Sequence, residues 1–80
     1  MITSGQIRAA RALLKWTGKE LAEASGVAFS TLMRLEPGEG VPGAQAKTLD
    51  AIQKAFETAG IEFIGSPDEG AGVRWRVNKR

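Results

Sequence analysis

The sequence predicts a mainly α fold, a bundle of four helices with a C-terminal β-hairpin. Up to Gly60, apolar residues recur at the three- and four-residue spacing of helices, and after it an alternation in twos takes over. Between residues 17 and 36 two short helical patterns are joined by Ser25-Gly26-Val27, which reads as a helix-turn-helix. The 80 residues allow one small domain, and a domain of this size buries only about 60% of the surface its unfolded chain exposes.

The first helix is expected over about residues 5–15, capped by Ser4 or Thr3, with Ile7, Ala10, Leu14 and Leu13 toward the core. Arg11 falls on or beside that apolar face, where a charge needs a partner. Trp16 follows and reads as core, with base stacking as the sharper alternative. The second helix spans about residues 18–25 and starts from a capping box, Thr17 with Glu20. Leu21 faces inward, Ala22 is small where the two helices touch, and Gly26 can take the left-handed conformation that turns the chain.

The third helix runs over about residues 28–35, with Leu32 and Leu35 inward and Phe29, Ser30, Met33 and Arg34 outward or sideways. Ala28 has no side-chain acceptor, so this helix starts without a cap, a deficit of roughly 1 kcal/mol. Pro37-Gly38-Glu39-Gly40-Val41-Pro42-Gly43 is a loop, because Gly and Pro leave no room for periodic structure. The fourth helix, about residues 46–59, carries Leu49, Ile52, Ala55 and Phe56 at helical spacing and closes at Gly60. Residues 61–64 and 73–77 alternate as two strands around a Gly- and Pro-containing loop.

Lys19-Glu20-Leu21-Ala22, Ser25-Gly26-Val27 and Ser30-Thr31-Leu32-Met33-Arg34-Leu35-Glu36 resemble the XRE family of bacterial and phage repressors, the lambda-repressor-like fold, over residues 5 to about 60. The resemblance implies a double-stranded DNA partner, with contacts at Thr17, Gly18, Lys19, Ala28, Phe29, Ser30, Met33, Arg34 and Lys47. The opening backbone N–H groups of the second helix, at Gly18, Lys19 and Glu20, would abut a phosphate. It also implies a structural ion pair between Arg11 and Glu36. Gly18 stands where family members often carry Gln, Ala28 where they carry a Ser or Thr cap, and the loop to Thr48-Leu49 is two residues longer than is common. Phe29 either meets a thymine methyl or a sugar, or folds back toward Leu13 and Trp16.

Composition narrows the function further. The chain has no Cys and no His, so thiolate zinc sites, disulfides and the commonest general base are missing, and neither an enzyme nor a metal or cofactor site is expected. No apolar run reaches the ~18 residues of a membrane span and no signal peptide precedes the first helix, so a cytoplasmic protein is expected. The net charge of +2 says little, but its distribution says more. Arg8, Arg11, Lys15 and Lys19 cluster near the start, and Arg74, Arg76, Lys79 and Arg80 make the end basic.

Two regions are expected: residues 1–60 as the DNA-binding helix-turn-helix domain, and residues 61–80 as a hairpin and basic tail. The second belongs to the same domain or serves dimerisation. A lone hairpin is marginal in water, so Ile61, Phe63, Val73, Trp75 and Val77 are expected either at a homodimer interface or on the chain's own helices. The reading is a sequence-specific transcriptional regulator, a repressor; the alternative is an antitoxin-like adaptor that holds a partner protein through the same fold.

Overall fold

A computed structural model of the chain describes residues 1–76. The elements follow in the order α1 (Ser4–Leu14), α2 (Gly18–Ser25), α3 (Phe29–Leu35), α4 (Ala46–Thr58), β1 (Ile61–Ile64) and β2 (Gly72–Trp75).

Local chemistry explains most of these boundaries. Thr3 caps α1, its Oγ1 accepting from the Gln6 N–H at 3.0 Å while Gln6 Oε1 accepts from the Thr3 N–H at 2.8 Å. This reciprocal box lets the helix begin one residue before the expected start. Lys15 ends it in the left-handed conformation, φ 58°. The Thr17–Glu20 box starts α2, and Gly26 at φ 75° turns the chain out of it. Neither α3 nor α4 has a side-chain cap: Ala28 and Gln45 occupy those positions, and their side chains accept nothing from the helix. After α4, Gly60 at φ 104° directs the chain into β1.

The core is one cluster, with Ile2, Ile7, Ala10, Leu21, Leu32, Leu35, Ile52, Phe56 and Ile61 all buried. Leu49 and Ala55 are buried on the same face of α4. Phe56 sits between two aromatic rings, with Trp16 stacked on it at 5.7 Å and Phe63 tilted against it at 6.0 Å. Trp16 is therefore a packing residue here. Leu13, expected inward, is exposed, because it is rotated about 100° from Leu14 around the helix and falls on its flank.

β1 and β2 pair antiparallel, with Ile61 opposite Trp75 and Phe63 opposite Val73. β2 lies along α1 and β1 along α4. Gln6 fastens the hairpin, its Nε2 donating to the Gly72 carbonyl at 2.9 Å and the Ile64 carbonyl at 3.3 Å. Of the two expected placements of the hairpin, the chain's own helices take most of it. Ile61 is fully buried and Phe63 and Val73 pack on the chain's own core, where they close the space beside α1 and α4. Of the five residues, Trp75 stays 50% exposed, and Val77 lies outside the described residues, as do Lys79 and Arg80. Among the described residues no helix is long and apolar enough to cross a membrane.

Candidate functional site

The exposed face of α3 is the candidate site, and its backing determines how it is aimed. Leu32 and Leu35 anchor the inner side, with Leu21 of α2 buried in the same core. Ala22 and Val27 pack partly buried against it, so the two helices of the motif close on each other through small and branched side chains.

The far end of α3 is held by α1. Ser4 Oγ donates to the Leu35 carbonyl at 2.7 Å. Arg8 Nη1 donates to the Glu36 carbonyl and, at 2.9 Å, to that of Gly38. Arg11 forms a two-pronged pair with the Glu36 carboxylate, Nε to Oε2 at 2.7 Å and Nη2 to Oε1 at 2.8 Å, while its Nη1 donates to the Trp16 carbonyl at 2.9 Å. The Glu36 side chain is 9% exposed and that of Arg11 28%. The hydrogen bonds to Glu36 raise the Arg11 guanidinium above its ordinary pKa, against desolvation that would lower it, with the carboxylate's charge adding to the rise.

Ser4, Arg8 and Arg11 lie on one stripe of α1; Ser4 and Arg8 meet carbonyl groups at the end of α3 that no further helical turn satisfies, and Arg11 meets the Glu36 carboxylate. Arg11 and Glu36 follow from the family resemblance, but Ser4 and Arg8 do not. Their signal was the i, i+4, i+7 spacing of Ser4, Arg8 and Arg11 facing a helix that ends without a C-terminal glycine. The loop after α3 is tied down too, the Ser4 N–H donating to the Gly40 carbonyl at 2.9 Å.

The outer face carries Phe29, Ser30, Met33 and Arg34, all exposed, and Ala28 is exposed just before it. Phe29 stays on this outer face, 43% exposed. Its ring leans on the first turn of α2, so that a Cβ added at Gly18 would stand 2.8 Å from Phe29 Cε1 and 2.7 Å from Met33 Cε. The structure thus brings Gly18, Phe29 and Met33 together, with Thr17 and Lys19 exposed on either side of Gly18. Lys47 is exposed on the first turn of α4, beyond the loop that follows α3.

One expected contact is corrected. The Glu20 N–H donates to Thr17 Oγ1 at 3.1 Å, while Glu20 Oε1 accepts from the Thr17 N–H at 2.7 Å, so this opening N–H group of α2 is already engaged.

A helix-turn-helix family model matches residues 7–62, from the first turn of α1 into β1. No curated protein matches the chain.

Proposed function

The chain belongs to the XRE-type, lambda-repressor-like helix-turn-helix family, and from that premise we propose that it is a sequence-specific regulator of transcription whose α3 enters the major groove of double-stranded DNA. The observation that carries this reading is the outer face of α3: it is exposed, it holds Arg34 and no acidic side chain, and its far end is fixed to α1 by Ser4, Arg8 and Arg11. A helix aimed by its scaffold loses little freedom on docking, which favours reading bases over general attraction to phosphate.

In this arrangement Arg34 meets a guanine edge or a phosphate and Ser30 a neighbouring polar group. Lys19, Lys47 and the N–H groups of Gly18 and Lys19 hold the backbone. The regulator acts as a repressor by occupying a promoter-proximal site, as a homodimer on two half-sites.

Selection from random duplexes, followed by titration over a range of salt, tests the proposal. Affinity falls steeply with salt, and Arg34→Ala weakens binding by about 1 to 3 kcal/mol with relaxed preference at one base pair. If Arg34→Ala binds the selected duplex as tightly as the unaltered protein, the reading helix has been misassigned.

A further inference from the structure

Phe29 and Met33 stand one turn apart on α3, and both remain exposed, 43% and 36%. Their far ends lie side by side over Gly18, at the distances given above. The result is an apolar saddle across the outer mouth of the helix-turn-helix, formed because α2 begins with a residue that has no side chain. Any larger residue at Gly18 would fill the saddle or push it aside.

An exposed apolar surface in the middle of a face that otherwise offers Lys19, Ser30 and Arg34 is matched to a target that is polyanionic at its edges and apolar at one point. The major groove contains one such apolar group, the C5-methyl of thymine. We propose that Phe29 and Met33 together read thymine methyl groups, and that Gly18 sets the specificity by making room for them. This rests on the DNA-binding reading above and names what its central contact recognises.

The test replaces each thymine of the selected duplex in turn by deoxyuridine, which removes the methyl and keeps every hydrogen-bonding group. At the base pair under the saddle, one substitution should weaken binding about fourfold, from the ~0.8 kcal/mol that burying a methyl-sized group contributes. Phe29→Ala should bring the thymine-to-deoxyuridine ratio at that position to about one.

Gly18→Ala provides the second variant. The atoms it meets are the mobile ends of Phe29 and Met33, and alanine favours a helix more than glycine does. This protein should melt no lower than the unaltered one and still lose the methyl discrimination. Binding that is indifferent to every deoxyuridine, a selected site with no thymine, or undiminished discrimination in both Phe29→Ala and Gly18→Ala each overturns the methyl reading while leaving DNA binding in place. A protein that selects no duplex at all overturns the proposed function itself.

Discussion

Arg11 shows how one side chain can set a functional surface from a distance. It reaches both carboxylate oxygens of Glu36 and the Trp16 carbonyl, joining α1 to the end of α3 and to the turn before α2. Hydrogen bonds to charged groups contribute about 1.5 to 3 kcal/mol, and removing one partner leaves the other charge uncompensated. Because the Arg11 side chain keeps 28% of its exposure, water can enter and soften that loss. Arg11→Ala should therefore cost about 2 to 3 kcal/mol, lowering the melting temperature by about 8 to 24 °C in a domain of this size. Lys54→Ala, on the exposed side of α4, should stay within about 0.5 kcal/mol. Equal melting temperatures for the two would remove Arg11 from the frame that holds α3. Lys15 presents the opposite case, because it is the one non-glycine described residue with positive φ, at 58°. Lys15→Gly relieves that left-handed conformation and should raise stability by about 0.5 to 1 kcal/mol in a denaturant titration.

At the scale of elements, α3 is the weakest helix in isolation, seven residues without a side-chain cap at Ala28. Ala28 has the extended ψ of 141° that a capping residue adopts, so Ala28→Ser should stabilise by about 0.5 to 1 kcal/mol, read as a higher unfolding midpoint. In the hairpin, Arg74 donates to both oxygens of Glu62 at 3.0 and 3.2 Å, across directly paired positions. Those hydrogen bonds hold the Glu62 carboxyl below its ordinary pKa, against desolvation that would raise it, with the charges of Arg74 and Arg76 adding to the lowering. A carboxyl whose folded pKa is lowered stabilises the fold above its unfolded pKa, and that contribution disappears as pH falls through the folded value. An NMR titration should find Glu62 ionising below the usual carboxylate range, and Arg74→Ala should move it upward. No change in its titration would show that the exposed pair is not populated in solution. The helices were legible in the sequence because their signals are local: Thr17 with Glu20, Gly26, and the spacing of Leu49, Ile52 and Phe56. The placement of the hairpin was not legible, since alternation shows that Ile61 and Phe63 share a face without showing what that face meets. The Gly18 contact was hidden for the same reason, as Phe29 and Met33 come from a different helix.

For the whole molecule, the question is whether the hairpin belongs to the folding unit or serves a second copy. Ile61 is 0% exposed, and Gln6 reaches across to the carbonyls of Ile64 and Gly72. A chain cut after Gly60 loses a buried isoleucine, worth about 2 to 5 kcal/mol when truncated, and leaves the Gln6 amide without those partners. Against the ~5 to 15 kcal/mol of a typical domain, the shortened chain should be marginal, melting broadly and well below the full one. An unchanged midpoint would separate the hairpin from the domain. Truncation is for that reason a poor test of dimerisation, because it would unfold the protein as well as remove an interface. Trp75 offers a cleaner one. It is 50% exposed, it lies 3.7 Å from the position a Cβ would take at Gly60, and it stands on β2, where the two-stranded sheet leaves an edge open for pairing. Two copies joined by a two-fold axis there could present their α3 helices to half-sites about 34 Å apart and combine the affinities of both. Trp75→Glu replaces a half-exposed ring by a charge and leaves the buried core residues in place, so the fold should survive with a lowered but still cooperative melting transition. On a palindromic duplex the unaltered protein should bind as two copies cooperatively and the variant as independent monomers of much weaker affinity, distinguishable by sedimentation and by the steepness of the binding curve. If the unaltered protein sediments as a monomer both alone and on its duplex, the exposed Trp75 has a use other than pairing, and recognition must rest on one half-site.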